Sequence, residues 1–460
     1  MALPEGTVLY PLCRAQSMLL MGRFFHLDQK NMTKGNIISI FAFADKDFDM
    51  TAMEKAYLHM VRINDALRLR IVRKGLRRMQ YIRDFVPEPL ERISVTGRDG
   101  FENAKRNVRT VIPLDGPLCH AQLVDCGDGS GGILMQFHHL VCDGYTVSMI
   151  HEQIDRFYKI FASGEEPPEE KIYSVTKYFE AEAKYLSGPQ YRSDRKFLRH
   201  AYNHQPNYSF PAGRLSLRSK KGDAEYSIGG ERYGKLMDFC ARNKCSQPSV
   251  LMALAAVAVL CLTGKENFCF YSLSHWRTTA YLKKTMGSMA NPFPVFYNIP
   301  GGSQLGQFAV DSYMAFLEWF SHGRYPIGRQ ILMSYKEAVV KHIWHNHLWA
   351  IFSAMDFEKD SAKADLEIGG VASEFFFSIF YCAILDLPGT RVRLRIEHDT
   401  RRISPAKMGR IIDMFDRVLG IFLEHPEWTV DECRAHISAA PERAARSRDI
   451  KLSSSGIKGE

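Results

Sequence analysis

Two adjacent histidines stand four residues ahead of an aspartate in the stretch His138-His139-Leu140-Val141-Cys142-Asp143-Gly144. An imidazole titrates near neutrality, so its neutral form can take a proton from an amine or alcohol nucleophile. The residues just before the pair, 132–138, read as a strand. After Asp143-Gly144, apolar residues recur at Val147, Ile150, Ile154, Phe157 and Phe161, one face of an amphipathic helix that Gly164 ends. A strand-to-helix turn fixes a side chain rigidly while leaving it exposed in a cleft, which suits a catalytic base. The same residues fit a plainer reading, two histidines closing a strand before an Asp-Gly turn. Asp143 lies too near in sequence to be assumed a triad partner. Anchoring the turn by pairing with a distant cation is equally open to it.

The elements that must hold this turn are legible on both sides. Residues 36–44 read as a strand and 50–66 as a helix, with apolar positions at Met53, Tyr57, Met60, Val61 and Ile63. Residues 67–82 alternate apolar and basic around Gly75, a hairpin signal whose arginines form the solvent side of a half-buried strand pair. A second strand at 118–125 precedes the one that ends in the histidines. The proline-bearing segment 164–170 (GEEPPEE) is a polar connection, and the lobe boundary is placed shortly after it. Beyond it, helices (230–242, 247–263, 307–321, 328–341, 405–424) alternate with strands (268–274, 293–299, 349–356, 375–386, 391–398). The expected domains are therefore 1–175, carrying the histidines, and 176–440, with 441–460 a flexible tail.

Composition narrows the class. The chain has 460 residues, 46% hydrophobic and 24% charged, which is ordinary globular usage and excludes a mainly disordered protein. Its longest apolar run, Ser249 to Leu262, is shorter than the ~20 residues a membrane span needs and reads as a buried core helix. The N-terminus lacks the pattern of a secretory signal. The ten cysteines form no CxxC pair, so structural zinc is not expected, and reduced thiols in a cytoplasm fit best. The net charge of +9 suits an acidic or phosphate-bearing partner and is too small and dispersed to argue for nucleic acid. His342, His345 and His347 have no carboxylate or cysteine nearby to complete a metal site, and Gly369-Gly370-Val371-Ala372-Ser373 is a poor carrier-type serine site.

The histidine stretch resembles the HHxxxDG signature of nonribosomal peptide synthetase condensation domains, within the chloramphenicol acetyltransferase superfamily. Further segments are similar in order along the chain. Tyr10-Pro11-Leu12 through Ala15-Gln16 resembles the family's N-terminal motif, and Arg62 through Leu67-Arg68 its "RHxxLR" segment. Tyr173 through Phe179 resembles the aromatic motif after the first lobe, and Met286 through Pro294 the "IGxFVNTLP" stretch. Arg277 sits where the family has the arginine of a "GR" pair. Arg324-Tyr325-Pro326-Ile327 and His347 through Phe352 resemble the "QDYPFE" and "SPLFQVMF" motifs. The resemblance runs from about residue 8 to 430. It departs at Trp276, which replaces the glycine of the "GR" pair, and in lacking the last family motif.

The resemblance implies an α/β (α+β) fold of two chloramphenicol acetyltransferase-like lobes, each a mixed sheet with helices, around a central tunnel. It implies an acyltransferase of the condensation type. A thioester-bound acyl or aminoacyl group would pass to an amine or hydroxyl acceptor, forming an amide or ester. His139 would be catalytic and His138 structural. Asp143 would pair with Arg277 across the two lobes. The Gly144 backbone N–H would help bind the oxyanion, and Asn291 would line the substrate tunnel. No metal and no bound cofactor are implied, because the donor is carried on the phosphopantetheine of a carrier protein or on coenzyme A. No adenylation or carrier domain is recognisable, so the expectation is a free-standing enzyme served in trans by an acyl or peptidyl carrier, with a small-molecule or carrier-bound acceptor. An epimerisation or cyclisation relative of the same fold, and a non-catalytic carrier-docking module, are the competing readings.

Overall fold

The computed structural model describes residues 5–25, 37–108, 111–204, 220–326, 350–355, 366–371, 380–439 and 450–453. Along the first part of the chain run β1 (Tyr10–Pro11), α1 (Arg14–Phe25), β2 (Ile37–Ala44), α2 (Met50–Ile63), β3 (Leu69–Lys74), β4 (Arg77–Ile82) and β5 (Glu91–Ser94). There follow α3 (Gly97–Arg106), β6 (Cys119–Asp125), β7 (Gly131–His138), α4 (Gly144–Ala162), α5 (Thr176–Ser187), α6 (Pro189–His204) and β8 (Lys221–Gly229). Next come α7 (Gly230–Asn243), α8 (Gln247–Thr263), β9 (Asn267–Ser274), β10 (Asn291–Asn298), α9 (Leu305–Ser321) and β11 (Ala350–Met355). The last are β12 (Glu367–Val371), β13 (Phe380–Leu387), β14 (Arg391–Asp399), α10 (Pro405–Glu424), α11 (Val430–Ala439) and β15 (Ile450–Ser453). The sequence-predicted helix 328–341 and the three histidines 342, 345 and 347 lie outside the described residues.

Contacts divide the chain into two compact units. The first comprises Met1–Pro189, His275–Ala290 and Lys359–Phe375; the second holds Gln190–Ser274, Asn291–Glu358 and Phe376–Glu460.

The first unit is built on a five-stranded sheet of order β12-β2-β7-β6-β5, beside a three-stranded sheet β1-β4-β3. The strand that ends in the histidines, β7, is central and buried along all eight residues. Two glycines open it because its neighbours come too close for side chains. A Cβ at Gly132 would collide with the Ala42 carbonyl oxygen of β2. Phe41, Phe43, Val124 and Leu134 pack on Phe101 of α3, while α2 and α4 pack together and α2 touches β6 and β7. Both helices start on an aspartate. Asp49 accepts from the N–H of Thr51 and Ala52, and Asp143 from that of Thr146, so each first turn has a partner for an otherwise orphan donor.

The second unit is a seven-stranded sheet, β10-β9-β11-β13-β14-β8-β15, with α8 at its core. The long apolar run forms α8. It is capped by Ser246, whose Oγ accepts the Ser249 N–H, and stopped by Gly264 at φ 68°, a left-handed conformation glycine adopts without strain. Helices α9 and α10 cover it. The sequence assigns 441–460 to a tail, yet Ile450–Ser453 pairs antiparallel with Asp223–Tyr226 of β8. The physical reason is that β14 occupies only one edge of β8. The other edge presents unpaired backbone groups, and a four-residue segment with alternating apolar positions satisfies them.

Candidate active site

The site is assembled from the end of β7 upward. Ladder pairing holds His138 opposite Ile37, and its N–H donates to the Leu118 carbonyl at 2.7 Å. A tight turn follows, closed by the Val141 N–H on the His138 carbonyl at 2.9 Å. The His138 side chain is buried and its Nδ1 accepts the Leu140 N–H at 3.1 Å, so this ring braces the turn from within. The Leu140 carbonyl is in turn held by Gln16 of α1, whose Nε2 donates to it at 2.9 Å and to Gln80 Oε1 at 2.8 Å. Gln16 Oε1 accepts the Cys13 N–H, and Gln80 donates to the Pro11 carbonyl. The segments at residues 10–16 and 138–144 thus form one hydrogen-bonded scaffold.

His139 is half-buried, and its Nδ1 is enclosed with no hydrogen-bond partner among the described residues. Burial pushes its pKa below the ordinary histidine value, because charging an enclosed ring loses hydration. Its own backbone and the Asp143 carboxylate pull the other way without offsetting this. The ring is therefore neutral at pH 7, and with Nδ1 enclosed the other nitrogen, Nε2, is the one left to meet a substrate.

Asp143 points away from this chemistry. Its side chain and that of Arg277 are both fully buried and meet in a two-pronged ion pair, Nη1 to Oδ2 at 2.9 Å and Nη2 to Oδ1 at 3.1 Å. The carboxylate also accepts the N–H groups of Thr146 at 2.9 Å, Met289 at 2.9 Å and Ala290 at 3.1 Å. Burial alone would raise its pKa, but the guanidinium and these donors hold it below the usual carboxylate range. Arg277 spends its remaining donors on Thr146 Oγ1 and on the carbonyls of Gly287, His275 and Thr285. Its guanidinium carbon lies 4.5 Å from the Tyr145 ring centroid.

The resemblance implies an Asp143–Arg277 pair across two lobes, whereas both residues belong to the first unit, because His275–Ala290 returns to it after β9. Trp276 buries its ring edge-on against Tyr185 and Tyr178, and Thr146 exchanges two hydrogen bonds with the Gly287 backbone, at 2.9 and 3.0 Å. Those contacts tether the segment. Gly287 itself sits at φ 143°, where a Cβ would also crowd Val175 and Met289. Asn291 lies in the second unit. Its Nδ2 donates to the Gly323 and Tyr325 carbonyls, both at 2.8 Å, which commits its two amide hydrogens to backbone.

Thr146 and the strained backbone of Trp276 were not singled out from sequence. Thr146 lies three residues past an aspartate at a helix start, a spacing that signals a cap but not the Arg277 contact. Trp276 has φ 57°, a left-handed conformation rare for a bulky residue. The signal was available, since it stands where the resembled pattern has glycine.

Among the described residues no group of three His, Cys, Asp or Glu side chains is placed to hold a metal, and no single helix is long and apolar enough to cross a membrane.

Comparison with known proteins gives a consistent picture. The Condensation domain family profile matches residues 8–440. Surfactin synthase subunit 1 of Bacillus subtilis (strain 168) is 23% identical over 448 residues, covering 92% of this chain and 12% of that protein. The chain thus spans only about an eighth of that relative's length. Among solved structures, the condensation domain from Monacolin K polyketide synthase superposes with a TM-score of 0.79 at 17% identity, covering 92% of this chain and 99% of the other. A mutant starter condensation domain of rhizomide synthetase, in complex with C8-CoA, gives 0.77 at 16% identity, covering 92% and 97%.

Proposed function

From this chain's membership of the condensation-domain family, we propose that it is an acyltransferase that moves a thioester-bound acyl or aminoacyl group onto an amine or hydroxyl acceptor, with His139 at the reacting centre. The observation that carries this reading is a neutral, half-enclosed imidazole on a turn that a buried ion pair holds in place. The acceptor N–H or O–H donates to His139 Nε2, and its lone pair attacks the thioester carbonyl as the proton passes to the imidazole. Negative charge then develops on the carbonyl oxygen. The Gly144 N–H opens α4, where backbone donors lack helical partners and the helix dipole is positive, and there it stabilises that oxyanion. Collapse of the intermediate breaks the C–S bond. The departing thiolate takes the proton back from the imidazolium, so proton and charge return to the start. Asp143 transfers no proton, since both its oxygens are committed to Arg277 and the backbone.

The donor in this reading rides on a phosphopantetheine arm, supplied in trans by an acyl or peptidyl carrier. The net charge of +9 suits such a partner. Coenzyme A presents the same arm, and the similarity to a starter domain in complex with C8-CoA supports testing it beside the carrier. The experiment offers aminoacyl and acyl groups on carriers and on coenzyme A, with and without an amine acceptor, and follows the carrier by intact mass. Acceptor-dependent loss of the acyl mass with formation of an amide supports the proposal. Loss of stereochemistry at the aminoacyl carbon without acceptor would make the protein an epimerase. Carrier binding without either change would make it a docking module.

A further inference from the structure

The first unit contains a cavity of about 420 Å³ that the chemistry at His139 does not use. It lies beneath α2 and against the start of β6, and its lining includes neither histidine of the turn, nor Asp143, nor Arg277. The volume falls in the ~300–1,000 Å³ range of small-molecule sites.

Its walls differ by depth. Tyr57, Leu58 and Val61 of α2, with Leu67, Ile112 and Ala121, give an apolar body. Two half-buried guanidinium groups, Arg68 and Arg70, stand against it. The side-chain hydrogen bonds they make leave donors over. Arg68 Nη1 reaches the Arg83 carbonyl at 3.0 Å, and its Nε is buried with no partner among the described residues. Among the described residues, Arg70 Nη1 reaches only its neighbour's carbonyl, that of Leu69, at 3.0 Å. Each guanidinium has five N–H donors, so most of them are left without a protein acceptor among the described residues. Burial lowers the pKa of both groups, and the carboxylates that pull the other way, Asp65 and Asp84 on Arg68 and Glu88 on Arg70, do not offset it.

The lining carboxylates Asp84, Glu88 and Asp115 are all exposed, and Glu88 is already paired with the third lining arginine, Arg83, at 3.2 Å. His120 lies 3.7 Å from Glu91. The mouth is thus acidic and the inside cationic. A multiply charged anion would be repelled on entry, a neutral molecule would leave the arginines unanswered, and a small anion would leave the apolar wall wet. One negative charge on an apolar body answers all three conditions.

From this arrangement we propose that the first unit binds an amphiphilic monocarboxylate, an unbranched acyl chain lying along α2 with its carboxylate between Arg68 and Arg70.

The test is titration calorimetry of the whole protein with decanoate, decanol and acetate. Decanoate should bind one to one, with decanol and acetate each at least tenfold weaker. Arg70→Met should weaken decanoate about tenfold or more, the worth of a charged hydrogen-bonded contact, and leave decanol unchanged. Val61→Trp should fill the body and abolish binding. A photoreactive diazirine analogue of decanoate keeps the question decidable should a variant misfold, because adducts on residues 57–70 or 111–121 of the unmodified protein support the site. No saturable binding, equal binding by the Arg70 and Val61 variants, or adducts confined to other segments would overturn it.

Discussion

Removing Arg277 strips the histidine turn of its counter-charge, and the size of the loss follows from the geometry. Both side chains are fully buried, so solvent screening does not discount the pair. Breaking a buried pair by deleting one partner costs about 3–5 kcal/mol, because the surviving charge is left uncompensated. Arg277→Met falls toward the lower end, since Asp143 keeps three backbone N–H donors. Asp143→Asn falls toward the upper end, since Arg277 then faces a neutral amide amid carbonyls. At about 2–4 °C per kcal/mol for a ~150–250-residue unit, either change lowers the melting temperature of the first unit by roughly 6–20 °C. Calorimetry on the two single variants and the double variant measures it, and the double should lose clearly less than the sum. The pH dependence has a definite sign. The folded pKa of Asp143 is depressed, so its contribution is fully present above the unfolded carboxylate value of ~3.9 and is lost as pH falls through the folded one. Asp143→Asn should therefore flatten the acid end of the stability curve. Strict additivity, or single-variant shifts under about 2 °C, would refute the reasoning.

Three further outcomes are expected. The pKa of His139 is lowered by burial, so the acid limb of kcat/KM should have its midpoint below the ordinary histidine value of ~6.5; a midpoint above it would contradict a neutral, desolvated ring. Trp276→Ala should cost about 3–5 kcal/mol of the first unit's stability, and Trp276→Gly should cost no more despite the larger truncation, since glycine accepts φ 57° freely; thermal melts of the pair decide it. Gln16→Met leaves the Leu140 carbonyl and the Cys13 N–H without their side-chain partner, which should cost about 1–3 kcal/mol and lower kcat more than it raises KM, measurable by steady-state kinetics.

Much of this was legible where local rules govern. The turn at 138–144 was readable because a strand, two histidines and an aspartate cap follow one another without interruption. The second unit's helices fell close to their expected bounds where caps are explicit, as at Ser404-Pro405 for α10 and at Ser246 and Gly264 for α8. Long-range pairing was not legible. Nothing in residues 367–371 says that they add an edge strand to β2, more than 300 residues earlier in the chain, and Ile450–Ser453 is too short and polar to announce itself as an edge of β8. The Asp143–Arg277 pair was inferred from resemblance rather than from spacing. Its placement within one unit depended on the return of residues 275–290, which no periodicity encodes. Trp276 shows a further limit, since its aromatic character favours extended backbone and its burial between tyrosines forces another.

The most direct test of the central claim is a single-turnover comparison of His139→Ala with the unaltered protein, using whichever acyl-carrier or acyl-coenzyme A donor proves active, with both proteins shown to melt alike. The variant should lose about 10²–10⁴-fold in the rate of amide or ester formation, the range typical of a general base, while His138→Ala acts chiefly on stability. A well-folded His139→Ala protein that turns over within a few-fold of the original, or a His138→Ala protein more impaired in the chemical step, would contradict the account.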